Sequence, residues 1–254
     1  MSSTRHPFLD WPYPLAFAHR GGAKSGPPKA AAPESPAPEN PAPENPAPEN
    51  PAPENTMAAF AHAVDLGYRY LETDVHTTRD GVLVAFHDPA LDRVTDRTGN
   101  IGDLPWSEVR RARVGSSAEG VPLLEDLLGA WPTVRINIDS KSEASVRPLA
   151  ETIIRLRAED RVCVASFSDR RVAAVRRIVG PGLCTALGTW GVARLRLASM
   201  TPVDRLVAAF LARLPAALRR PLGRTSHHCA QVPLASRGVA IVDRGFLAAA
   251  HARG

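Results

Sequence analysis

Apolar positions along the chain fall alternately into short runs and into stripes spaced three or four residues apart. Leu15 to His19 is a short apolar run and predicts a strand, while Met57 to Leu66 is an amphipathic stripe stopped by Gly67 and predicts a helix. Tyr70 to Val75 predicts a second strand, and the Arg79-Asp80-Gly81 turn leads into a third, Val82 to Phe86. Beyond it the spacing gives helix at Leu123–Leu128, strand at Val134–Ile138, helix at Val146–Arg157 and strand at Val162–Phe167. Helix over Asp169–Ile178, a strand near Leu183–Leu187 and helices across Gly191–Arg219 complete the series. Such alternation implies a single α/β domain over residues 1–254, with a mainly parallel sheet and helices outside it.

One segment breaks the pattern. Pro36 to Asn55 is four consecutive copies of Pro-Ala-Pro-Glu-Asn, preceded by a Pro- and Ala-rich run from Pro27. Proline at every second or third position removes backbone donors and pins φ, so a disordered, extended insertion is expected at about residues 27–53. It reads as a repeat expansion within a loop rather than as a packed element.

Composition narrows the picture. Hydrophobic residues make up 44% of the 254 positions and aromatics 6%, so the core should be aliphatic. The net charge of +5 is spread over scattered arginines without interleaved aromatics, which excludes a nucleic-acid-binding surface. Cys163, Cys184 and Cys229 are odd in number and far apart, which argues against a disulfide framework and a Cys-rich zinc site, so reduced core thiols are expected. No leader-like apolar run opens the chain and no run is long enough to span a bilayer, so a cytoplasmic location is expected.

The chemically capable residues gather at the ends of the strands. His19 and Arg20 close the first, Glu72 and Asp74 sit on the second, His87 and Asp88 close the third, and Asp139 and Lys141 close the fourth. In a (β/α)8 barrel that is the end where sites form. Glu72 and Asp74 are two residues apart on a strand, so both leave the same face. Converging carboxylates repel unless one is protonated or a cation neutralises them, and a set completed by Asp139 suits an oxygen-preferring ion, Mg²⁺ or Ca²⁺. His19 and His87 lie on different strands, where they can flank a substrate as acid and base. His76, which follows the carboxylate pair, and the remaining histidines are read as structural.

Together, His19-Arg20-Gly21-Gly22, Pro53-Glu54-Asn55-Thr56, Leu71-Glu72-Thr73-Asp74-Val75, Asp80-Gly81, His87-Asp88, Val121-Pro122-Leu123-Leu124-Glu125, Asn137-Ile138-Asp139-Ser140-Lys141 and Ser166-Phe167 resemble the signature of glycerophosphodiester phosphodiesterases. The resemblance implies a TIM-type barrel that hydrolyses a glycerophosphodiester to glycerol 3-phosphate and an alcohol. It further implies Glu72, Asp74 and Asp139 as metal ligands, His19 and His87 as the acid/base pair, and Arg20 and Lys141 as holders of the phosphate. Glu54 and Asn55 match the substrate-binding motif, because only this last repeat precedes Thr56.

Two departures from that pattern stand out: the expanded repeat, and an end at Gly254 where the family continues with strands carrying Trp-Thr and Thr-Asp. The expectation is a barrel short of its last strand or two, lacking about 45 residues of the usual length. Alternatives are a phosphodiesterase acting on lysophospholipids and an inactive binding or scaffold protein. The basic amphipathic segment from Val203 to Arg220, with the stripe of Leu206, Val207, Phe210, Leu211 and Leu214 on one side, fits an outer barrel helix, and would also suit contact with a membrane surface.

Overall fold

The computed structural model of the protein describes residues 6–12, 14–22, 52–199, 227–236 and 238–252. The repeats up to residue 51, and the stripe expected over Val203–Arg220, lie outside the described residues. Strand β1 (Phe17–His19) precedes helix α1 (Met57–Asp65), strand β2 (Tyr70–Thr77), strand β3 (Leu83–Ala85) and the short helix α2 (Trp106–Val109). Helix α3 (Leu124–Ala130) leads into β4 (Arg135–Ser140), α4 (Val146–Arg155), β5 (Val162–Ala165), α5 (Asp169–Val179), β6 (Cys184–Thr185) and α6 (Thr189–Ser199). A two-stranded antiparallel ribbon, β7 (Ala235–Ser236) and β8 (Val239–Ala240), and helix α7 (Arg244–His251) follow.

Strands β1, β2, β4, β5 and β6 lie side by side in that order and are all parallel. A parallel bridge from Ala186 to Cys229 extends the sheet beyond β6. The architecture is α/β of the TIM-barrel type, and the sheet is not closed among the described residues. The third strand runs the other way: β3 is antiparallel to β2 and stands off the parallel path. Its connection is the reason. Arg79-Asp80-Gly81 is a tight turn, with Gly81 at φ 89°, whereas a parallel crossover needs a dozen or more residues. His87 and Asp88 therefore follow a strand that runs back from the far end of β2, and Phe86 donates its N–H to the Asp74 carbonyl at 2.8 Å.

Helix α1 begins at Thr56, whose hydroxyl accepts the Ala59 N–H at 3.2 Å and donates to the Pro53 carbonyl at 2.8 Å. Gly67, at φ 96°, turns the chain out of this helix and back toward β2. The main core lies between the sheet and its outer helices. Leu71, Ile136, Ile138, Val162 and Val164 meet Phe60 of α1, Leu127 of α3, Leu149 of α4 and Val175 of α5, all buried. Emptying one such position, as in Leu127→Ala, removes about 2–5 kcal/mol.

A second core of Val84, Phe86, Leu91, Ile101, Val109 and Val114 holds the excursion between β3 and α3. Inside the sheet's curve, Phe8 packs edge-on against Tyr70 at 5.3 Å between ring centres, with Phe17, Cys163, Cys184 and Ala186 in the same cluster. The Tyr70 hydroxyl donates to the Phe8 carbonyl at 2.5 Å, so the N-terminal segment is fixed against the end of the sheet opposite the charged residues. No helix among the described residues is long and apolar enough to cross a membrane.

Candidate active site

Register decides which side chains meet. His19 pairs with Glu72, Glu72 with Asn137, and Asp74 with Asp139 across parallel neighbours, so these side chains share the inner face of the sheet. Glu72 and Asp74 thus leave β2 together, as their spacing requires, and Asp139 joins them from β4.

The charges there are closely interlocked. Lys141 Nζ lies 2.8 Å from Asp74 Oδ1 and 2.7 Å from Asp139 Oδ2, bridging the two aspartates. Burial disfavours its charge, but these carboxylates outweigh burial and raise its pKa. Arg20 Nη1 donates to Glu54 Oε1 at 3.1 Å, and its Nε stands 3.3 Å from Asp74 Oδ2. The Arg20 backbone N–H is directed at Glu72 Oε2, 3.1 Å away. That geometry depends on a left-handed corner: Arg20 sits at φ 50° and Gly21 at φ 83°.

Glu72 is the electrostatically strained member of the set. Burial first, then the negative charge of Asp74, pushes its pKa up to about 8. Asp139 Oδ1 is buried and has no hydrogen-bond partner. A proton retained by one carboxyl and an unmatched oxygen on another are what a site short of positive charge looks like. The donor chemistry, three carboxylates without sulfur, fits a hard cation. The oxygens are less tightly gathered than a closed ligand set, since Lys141 stands between two of the three acids.

The histidines come to this wall from separate elements, His19 from the end of β1 and His87 from the segment after β3. His19 is 63% exposed at its side chain, with Nε2 3.8 Å from Glu72 Oε2. Partial burial, then the Arg20 charge, lowers its pKa. His87 is more enclosed: its Nδ1 lies 2.5 Å from Asp88 Oδ1. Burial works against ionisation of Asp88, but hydrogen bonds from Arg93 and His87 overcome it and bring its pKa down to about 2. His76 lies on β2 beneath, with Nε2 3.1 Å from the His87 carbonyl, and burial lowers its pKa. It supports the loop that carries His87.

Glu54 and Asn55 are both buried. Glu54 accepts from Arg20 and from Arg93, the latter at 2.6 Å, while Asn55 accepts from the Thr73 hydroxyl at 2.8 Å and donates to Asp74 at 3.4 Å. The structure thus brings all nine predicted residues into one assembly, with Glu54 and Asn55 buried inside it. Arg93 was not among them. It joins Asp88, through Nε at 2.6 Å and Nη2 at 3.0 Å, to Glu54, and so links the His87 side of the site to the Arg20 side. No periodicity marks the stretch around it; its one sequence signal is proximity, six residues after His87.

Comparison with known proteins adds to this geometry. A family model described as the glycerophosphoryl diester phosphodiesterase family matches residues 19–254. The protein named "Probable glycerophosphodiester phosphodiesterase 2" of Mycobacterium tuberculosis is 35% identical over 207 residues, 78% of this chain and 70% of that one. A glycerophosphodiester phosphodiesterase of Bacillus altitudinis is 34% identical over 138 residues, 49% of this chain and 56% of that one. Among solved structures, an Oleispira antarctica phosphodiesterase in complex with the product sn-glycerol-3-phosphate shares the fold. Its TM-score is 0.55 at 18% identity, over 95% of this chain and 90% of that one.

Proposed function

This chain belongs to the glycerophosphoryl diester phosphodiesterase family, and from that premise we propose that it hydrolyses a glycerophosphodiester to glycerol 3-phosphate and a free alcohol, using two histidines and a divalent cation. One observation carries the reading: His19 stands beside Glu72, and His87, on a separate element, is joined through Asp88, Arg93 and Glu54 to the same cluster of carboxylates and fixed cations.

Glu72, Asp74 and Asp139 would hold the cation, Mg²⁺ or Ca²⁺. When bound, it supplies positive charge to the phosphoryl oxygens. The chain's own cations act in the same direction. Lys141 and Arg20 present fixed positive charge where negative charge shifts during attack, and burial strengthens that effect. Lys141 Nζ also lies 5.8 Å from the centre of the exposed Phe167 ring, which walls this side of the site.

His19, kept neutral by burial and by Arg20, takes the proton of the attacking group, either water or the substrate's own glycerol hydroxyl, the latter forming a cyclic phosphate that water then opens to glycerol 3-phosphate. His87 gives a proton to the leaving alkoxide. Its Nδ1 is fixed on Asp88, which leaves Nε2 as the nitrogen for the proton transfer, and Arg93 fixes Asp88 in turn. The test is release of glycerol 3-phosphate from glycerophosphocholine, with and without a chelator. His19→Ala and His87→Ala should each lower turnover roughly 10²- to 10⁴-fold. Near-normal turnover in both variants sinks the proposal.

A further inference from the structure

The three cysteines, remote from one another in sequence, meet inside the sheet. Cys163 on β5 pairs in register with Cys184 on β6, and the Ala186–Cys229 bridge brings in the third from the next segment. All three are free thiols, and their sulfurs lie within 4.8 Å of one another, with Cys163 Sγ and Cys229 Sγ 3.7 Å apart. Among the described residues this is the one set of three His, Cys, Asp or Glu side chains gathered so closely.

We infer that Cys163, Cys184 and Cys229 form a zinc site, distinct from the carboxylate wall and cross-linking three neighbouring segments of the sheet. Tetrahedral zinc–thiolate bonds of about 2.3 Å place ligand sulfurs about 3.8 Å apart, so the triangle closes on the ion with little movement. A Cys163–Cys229 disulfide fits the sheet poorly. Those residues stand two strands apart, roughly 9–10 Å at the usual spacing, beyond the reach of a disulfide's Cα atoms.

Gln231, two residues beyond Cys229, is held by a reciprocal amide pair with Asn137, at 3.0 and 2.7 Å, and Asn137 lies in register with Cys163 on the neighbouring strand, so the segments carrying two of the three ligands are tied together beside the cluster. Cys163 and Cys184 are buried while Cys229 is half-buried, so the fourth position of the ion is left to solvent on the Cys229 side. Zinc prefers this sulfur set, and Mg²⁺ or Ca²⁺ prefers the carboxylates, so each ion has its own address. The inference does not depend on the hydrolase reading, because none of its ligands belongs to that assembly.

The test uses the full 254-residue chain purified under reductant. Titration with Co²⁺ should give a sulfur-to-cobalt charge-transfer band that saturates at one equivalent and disappears when Zn²⁺ is added. Cobalt on the carboxylates produces no such band. Cys184→Ser should abolish it. A measurement on the unmutated chain guards against a variant that fails to fold: X-ray absorption of the zinc-loaded protein should show three sulfurs at about 2.3 Å. A folded chain with no sulfur band, a zinc shell of nitrogen and oxygen alone, a band that survives in Cys184→Ser, or a disulfide among these cysteines in metal-free protein would each overturn the assignment.

Discussion

At the scale of single residues, the candidate site is a run of opposite charges in which each side chain is held by the next. His87 meets Asp88, Asp88 meets Arg93, Arg93 meets Glu54, Glu54 meets Arg20, Arg20 meets Asp74, and Lys141 ties Asp74 to Asp139. Asp88 is the point at which this run touches the proposed acid. Asp88→Asn keeps the shape but removes the charge that fixes the imidazole, so kcat should fall roughly 10²-fold or more while KM changes little. An unchanged kcat would reduce Asp88 to a structural partner of Arg93. Glu72 gives a second expectation, with a definite sign. Burial and Asp74 raise its pKa to about 8, so the cation-free folded protein keeps a proton that the unfolded chain releases from its ordinary carboxyl value upward. Its contribution to stability is therefore complete below that ordinary value and is lost as pH rises through about 8. The Tm of cation-free protein should fall between about pH 6 and about pH 8.5, and the rise in Tm on adding Ca²⁺ or Mg²⁺ should be larger at the higher pH. A cation effect that is flat with pH would mean that Glu72 is not a ligand.

At the scale of elements, the corner between β1 and α1 sets where Arg20 points. A Cβ added at Gly21 would lie 2.8 Å from Ala59 Cβ and 2.9 Å from the Ala59 carbonyl carbon on α1, and the residue sits at φ 83°. Gly21→Ala should cost about 1–3 kcal/mol and move Arg20 off Glu72, which a lowered urea midpoint and lost turnover would report. An unaltered midpoint would show that the corner can relax. Much of this layer is legible in the sequence. The helix opened by Thr56 and stopped by Gly67, the Glu72/Asp74 pair on one strand face, and the alternation from Val134 to Ile178 all follow from period and caps. The direction of β3 was legible too, since a three-residue turn permits only an antiparallel partner. What stayed hidden depends on non-local register. The excursion between His87 and Pro122 has no period of its own, because its core is assembled from single apolar residues such as Leu91, Ile101 and Val109. The thiol cluster joins positions 21 and 45 residues apart, a separation that only the ordering of β5, β6 and the segment after them brings together.

At the scale of the whole molecule, the Pro-Ala-Pro-Glu-Asn repeat enters between β1 and α1, at the same end of the sheet as the site. Its two flanks are clasped: the Asn55 N–H donates to the Arg20 carbonyl at 3.0 Å, and Arg20 Nη1 donates to Glu54 at 3.1 Å. Because the ends are fixed by residues outside the first three copies, removing residues 36–50 leaves the clasp, the final Glu54-Asn55-Thr56 and the helix cap intact. The remaining cost is loop closure, which varies only with the logarithm of length. Shortening the segment by about half changes it by roughly 0.5 kcal/mol, in the stabilising direction. The 36–50 deletion should therefore match the parent chain in Tm within a few degrees and in kcat/KM for glycerophosphocholine. A large rise in KM alone would give the repeat a part in holding substrate. A collapse of Tm would instead mean that the repeat packs against the domain, and the extended, solvated character expected from its prolines would have to be abandoned.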